Sequence, residues 1–113
     1  MKAPLALAVT ITALAAATAP ASAQSFSCME TGELNATEAK ICRSRWLGNL
    51  DERLAFWYGE ALNRARHFDQ TGSLRSAQRQ WIASRDTCGS SFWCIRSHYQ
   101  RRIRELKNYA EHV

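Results

Sequence analysis

The residues of this chain that can react, ligate or bind are four cysteines, three histidines, one misplaced aspartate and a set of interleaved tryptophans and arginines. Cys88 and Cys94 are separated by five residues, which is not the C-x-x-C spacing of a thioredoxin-type redox site. With Cys28 and Cys42 they allow three pairings, of which the most local joins Cys28 to Cys42 and Cys88 to Cys94. Cysteines bridged in this way are neither nucleophiles nor metal ligands. His67, His98 and His112 lie far apart in sequence, and none is spaced with another ligand for zinc. There is no glycine-rich phosphate loop, H-E-x-x-H or G-x-S-x-G. These residues predict a covalent scaffold, with no catalytic residue, cofactor or metal site.

Asp51 is the polar residue that breaks a pattern. Leu47, Leu50, Leu54, Tyr58, Ala61, Leu62 and Ala65 recur at intervals of three and four, and Asp51 falls well inside that apolar stripe. A bare carboxylate buried there is expensive, so it needs a cationic or amide partner. Arg85 and Arg102 have the matching phase on later helices, and the expectation is an ion pair from Asp51 to one of them. Acid–base catalysis at Asp51 would require a second, differently tuned carboxylate, but Glu52 and Glu60 point elsewhere by phase.

Recognition chemistry is better represented. Trp46, Arg53, Trp57 and Arg64 fall within about 40° of one another on a helical wheel, along the flank of the stripe. Such a row can stack on sugars or anchor a protein interface, or it can pack beneath the N-terminal segment with the arginines laid over the rings. Phe56 faces almost directly away from the stripe, as an exposed anchor. Phe92 and Trp93 lie between the last two cysteines, where they form either a displayed aromatic tip or a staple against the final helix. Arg96, Arg101, Arg104 and Lys107 do not converge on one line and read as a solvated face, so no nucleic acid is expected.

These residues need helices to position them. Asn35, Ala36, Thr37 and Glu38 have the N-x-x-E form of a capping box, opening a short helix to about Cys42. The same Asn35-Ala36-Thr37 has the form of a glycosylation sequon, a reading that the bacterial-looking export signal disfavours. Ser44 caps a long second helix of about 24 residues. Asp69 to Ser73 reads as a turn, Ser73 caps a third helix to about Asp86, and a fourth covers about Phe92 to Tyr109. On the third helix Leu74, Ala77, Trp81 and Cys88 form the core-facing stripe, with Arg85 at its edge. The expectation is an all-α, disulfide-stapled bundle of one short and three longer helices.

Upstream, Lys2, the apolar run from Leu5 to Ala17 and Ala21-Ser22-Ala23 have the layout of a secretory signal peptide, too short to span a membrane comfortably. Cleavage after Ala23 leaves residues 24–113 as a single domain in a periplasmic or secreted, disulfide-forming compartment. The chain carries a net charge of +5, and losing Lys2 with the leader leaves +4. That balance favours anionic partners without identifying one.

Cys28, Thr37, Glu38, Ile41 and Cys42, the Leu50-Asp51 pair, the run Arg79, Trp81, Arg85, Asp86, Cys88, and then Cys94, Tyr99, Arg102 and Ile103 together resemble the LprI-like family, named for a lysozyme inhibitor. The resemblance spans nearly all of residues 24–113. It implies an exported all-helical domain with the local cysteine pairing. It also implies inhibition of lysozyme, and together with the aromatic residues above the expectation is a non-enzymatic interaction protein that occludes the lysozyme cleft. The named member is a lipoprotein, whereas Ser25, Phe26 and Ser27 precede Cys28 here and form no lipobox. The alternative is a binding module for anionic envelope polymers such as lipopolysaccharide or acidic glycans.

Overall fold

The computed structural model describes residues 26–112. The leader read over residues 1–23 and its cleavage point lie outside the described residues. The chain folds as a short 3-10 turn, Thr31–Glu33, followed by helices α1 (Ala36–Arg43), α2 (Arg45–His67), α3 (Thr71–Asp86) and α4 (Phe92–His112). No strand is present among the described residues.

The capping box at Asn35 forms in both directions. Asn35 Oδ1 accepts from the Glu38 backbone N–H at 2.8 Å, and Glu38 Oε1 accepts from the Asn35 N–H at 3.0 Å. Ser44 is the whole joint between α1 and α2. Its N–H donates back to the Ile41 carbonyl at 3.2 Å, while its hydroxyl accepts from the Leu47 N–H at 3.2 Å. One extended residue therefore closes one helix and opens the next.

The third helix starts earlier than expected. Asp69 adopts a left-handed conformation with φ of 53°, and the Gln70 N–H reaches back to the Ala65 carbonyl at 2.9 Å. This Schellman-type closure completes the reversal by Gln70, so α3 begins at Thr71 and Ser73 lies within its first turn instead of capping it.

Side-chain contacts give the helix directions. Asp51 meets Tyr99 and Trp57 meets Lys107, so α2 and α4 run parallel; Gln78 meets Arg102 and Trp81 meets His98, so α3 returns antiparallel to both. The fully buried apolar core comes mainly from α2 (Leu47, Leu54, Ala61, Leu62) and α4 (Ile95, Tyr99, Ile103, Leu106), with Ile41 from α1. Each of the leucines and isoleucines contributes roughly 1.5–3 kcal/mol by leaving water.

The expected stripe of α3 is correspondingly only half-buried. Leu74, Ala77, Trp81 and Cys88 lie at the margin of the core, and the residues α3 buries fully are Gln78 and Arg85. Both expected bridges form. Cys28–Cys42 ties the N-terminal segment to α1, and Cys88–Cys94 clamps the end of α3 to the first turn of α4.

Candidate functional site

The parallel packing of α2 and α4 leaves an open groove of about 340 Å³ between their first halves, lined by Trp46, Asn49, Leu50, Arg53, Arg96 and Gln100. Trp46 is 66 % exposed. The lining holds two guanidiniums, two side-chain amides and no carboxylate, so its local field is positive. Arg96 also packs across the ring of Trp93, 5.3 Å from its centroid. Trp93 itself is 70 % exposed and lies outside the groove lining, joined to it through Arg96.

Phe92 and Trp93 divide the two roles open to them. Phe92 is half-buried against the core and meets Trp93 edge-on at 5.1 Å, while Trp93 projects. The tip beneath them is held from α1. The Thr37 hydroxyl lies 2.7 Å from the Gly89 carbonyl and 3.3 Å from that of Asp86, and Gly89 takes the left-handed φ of 57° that lets the chain turn there.

The aromatic row on α2 does not act as one surface. Trp46 and Arg53 enter the groove. Trp57 is half-buried beneath Lys107, whose ammonium lies 5.6 Å from its ring, and Arg64 lies over Phe68 at 5.2 Å. Phe56 is 58 % exposed and meets Trp57 edge-on at 5.0 Å, apart from the groove lining. Arg96 and Lys107, expected on a solvated face, also lie over tryptophan rings, Lys107 while remaining exposed, as the amphipathic arginine and lysine stems allow. Arg101 and Arg104 are exposed.

Asp51 corrects a further expectation. It is fully buried, but neither Arg85 nor Arg102 pairs with it directly. Its Oδ1 accepts from the Tyr99 hydroxyl at 2.8 Å, and that hydroxyl accepts from Arg85 Nη1 at 3.2 Å. Arg85 spends its other donors on Asp86 Oδ1, at 3.0 and 2.8 Å, and Asn35 Nδ2 donates to Asp86 Oδ2 at 3.0 Å. Arg102 donates instead to Gln78 and Glu105. Tyr99 comes between the charges because its phenol spans the gap between α2 and α3 from α4; in the sequence it stands out only among the residues that carry the family resemblance.

Electrostatics follow from that burial. Burial first, and the Asp51 charge second, push the Tyr99 hydroxyl far above the usual tyrosine range. Burial works against the charge on Arg85, but Tyr99 and Asp86 beside it outweigh that and its pKa lies above the ordinary arginine value. Asp51 Oδ2 has no partner among the described residues, and its carboxylate, buried between the helices, ties α4 to α2 through Tyr99.

One histidine also departs from the sequence reading. His98 lies one helical turn after Cys94, with Nδ1 at 3.4 Å from Cys88 Sγ and 3.9 Å from Cys94 Sγ. The i, i+4 relation of Cys94 and His98 was the available signal, hidden because the sulfurs were counted as bridged. Asn49 and Gln100, the groove's amides, carry no signal in sequence beyond lying on exposed helix faces.

No curated protein and no solved structure matches the chain. A family model described as lysozyme inhibitor LprI matches residues 28–106. That span begins at the first bridged cysteine, includes both disulfides, the Asp51–Tyr99–Arg85 network and the whole groove, and ends at the core residue Leu106. On a match over well more than half its length, the chain belongs to the lysozyme inhibitor LprI family.

Proposed function

We propose that this protein inhibits lysozyme by laying the Trp46–Arg53–Arg96–Trp93 face across the enzyme's substrate cleft. The observation that carries the reading is the exposed Trp93, fixed beside the Cys88–Cys94 bridge with Arg96 packed on it. Exposed tryptophan and arginine held in place are the residue types that dominate protein interfaces. A lysozyme cleft works through two carboxylates, so the guanidiniums of Arg53 and Arg96 complement its floor.

Net charge alone argues the other way, since an animal-type lysozyme is also basic. The two effects act over different distances. At ionic strength near 0.1 M, repulsion between exposed charges is screened beyond about 10 Å, whereas an arginine inside a cleft meets its carboxylate partner with little intervening salt. Contact within the cleft therefore outweighs the long-range term, and association is slow relative to a steered complex.

The test is lysozyme-driven lysis of cell walls with increasing protein. The intact protein slows lysis. Trp93→Ala and Arg96→Ala each weaken inhibition by at least tenfold, since truncating an interface anchor costs about 2 kcal/mol. No slowing at large molar excess, or full potency in a Trp46→Ala/Trp93→Ala/Arg96→Ala variant that keeps its helicity, refutes the proposal.

The carboxylate-free groove lining also supports a second reading, the capture of an anionic envelope polymer on the same face. That reading requires retention on lipopolysaccharide that weakens with added salt and is lost with Arg53→Ala/Arg96→Ala. Salt-independent retention contradicts it.

A further inference from the structure

The joint between α3 and α4 brings two sulfurs and an imidazole together. His98 Nδ1 lies 3.4 and 3.9 Å from the sulfurs of Cys88 and Cys94, and the three ligand atoms all lie within 4.8 Å of one another. With Zn–S near 2.3 Å and Zn–N near 2.0 Å, a tetrahedral site has S···N edges of about 3.5 Å and an S···S edge of about 3.8 Å. Both S···N edges are already close to those lengths while the sulfurs are bonded to each other. A metal site needs the sulfurs to part and Nδ1 of His98 to give up its proton.

The imidazole is oriented for the task. Its Nε2 lies 3.1 Å from Ser84 Oγ, and Nδ1 lies 2.9 Å from the Cys94 carbonyl, to which its proton is donated in the oxidised protein. Moving that proton to Nε2 frees the Nδ1 lone pair and turns the Ser84 contact into an N–H donation. A metal-bound histidine ordinarily makes such an outer bond, which fixes its ring. Cys88, Cys94 and His98 are each half-buried, open enough for a reductant and an ion to reach.

We propose that reduction of the Cys88–Cys94 bridge converts it into a binding site for a thiophilic divalent cation such as zinc, with Cys88, Cys94 and His98 as ligands and water in the fourth position. A dithiol reductant supplies two electrons and two protons and becomes a disulfide, while Cys88 and Cys94 become thiols. The cation then displaces both thiol protons to solvent, leaving two thiolates, a neutral imidazole and the divalent ion, an electrically neutral site. The metal takes over the clamp between α3 and α4. This site stands independently of lysozyme inhibition.

Cobalt titration of the phosphine-reduced protein tests it, with zinc used to displace the cobalt. The reduced protein takes up one Co²⁺ with thiolate-to-cobalt absorption and a tetrahedral visible band, and the oxidised protein shows neither. His98→Ala weakens binding at least tenfold. The band disappears in Cys88→Ser/Cys94→Ser, which retains Cys28 and Cys42 and so reports any binding by that pair. Zinc raises the melting temperature of the reduced protein, because it binds the folded joint. The inference is overturned by no band on reduction, by a band that survives Cys88→Ser/Cys94→Ser, by unchanged affinity in His98→Ala, or by no thermal shift with zinc.

Discussion

Tyr99→Phe removes one oxygen from the centre of the molecule and leaves the ring in place against Trp81, which it meets edge-on at 5.1 Å. Among the described residues the hydroxyl is the sole partner of the Asp51 carboxylate, whose second oxygen has none there, and it also accepts from Arg85 Nη1. Its loss strands a fully buried carboxylate and a buried guanidinium donor together. Breaking a buried charged partnership costs about 3–5 kcal/mol, and in a domain of this size each kilocalorie lowers the melting temperature by roughly 4–8 °C. The expected loss is therefore on the order of 12 °C or more by thermal denaturation. Tyr109→Phe, which removes a hydroxyl bonded to Gln70 at the surface, is the control and costs under about 1 kcal/mol. Asp51→Asn in the Tyr99→Phe background removes the stranded charge, so the double variant is more stable than Tyr99→Phe alone. A Tyr99→Phe loss no larger than the control's, or a double variant less stable than Tyr99→Phe, refutes the network as a structural centre.

Four further outcomes follow from the same geometry. Replacing both cysteines of a bridge by serine costs about 3 kcal/mol for Cys28–Cys42 and about 2 kcal/mol for Cys88–Cys94 in urea denaturation, from chain separations of 14 and 6 residues in a loop-entropy treatment. Asn35→Ala costs about 1–2 kcal/mol, because it removes both the helix cap and the bond to Asp86, and equal stability would contradict that double role. Stability falls with alkali: Tyr99 keeps its proton in the folded protein while the unfolded chain loses it near pH 10, so each pH unit above that lowers stability by up to about 1.4 kcal/mol, and a flat denaturation midpoint from pH 9 to 11 would contradict the assignment. If contact inside the cleft rather than long-range attraction drives inhibition, the association rate measured by stopped flow rises with salt; a steep fall would show electrostatic steering instead.

Helix content was legible because its signals are local. The Asn35 and Glu38 pair, the Ser44 cap and the three-and-four spacing of α2 each depend on a few neighbouring residues, and α1 and α2 formed where those residues placed them. The start of α3 was not legible, because a left-handed Asp69 closes α2 without the glycine that usually marks such a turn. The Asp51 partner was half-legible. Phase placed Asp51 inside the apolar stripe and Arg85 only at the edge of the α3 stripe, and the third dimension decided that Arg85 would be buried with a tyrosine from α4 standing between them. The groove was the least legible feature, since Trp46 and Arg53 acquire meaning only when α4 brings Arg96 and Gln100 alongside, across some 45 residues of sequence.

The polar centre and the face that carries Trp93 are linked through α3. That helix contributes no fully buried apolar side chain; it is held by Gln78 on Arg102, by Arg85 on Tyr99, by the marginal packing of Leu74 and Trp81, and by the Cys88–Cys94 bridge. Directional bonds fix position more strictly than the non-directional burial that supplies most of the packing of α2 on α4. The end of α3 so fixed is the end that presents Trp93, while Thr37 and Asn35 pin the same joint from α1. Buried polar groups, costly to keep, thus set the one place where an exposed tryptophan gains from being rigid, because an anchor that is already ordered loses little freedom when a partner closes over it.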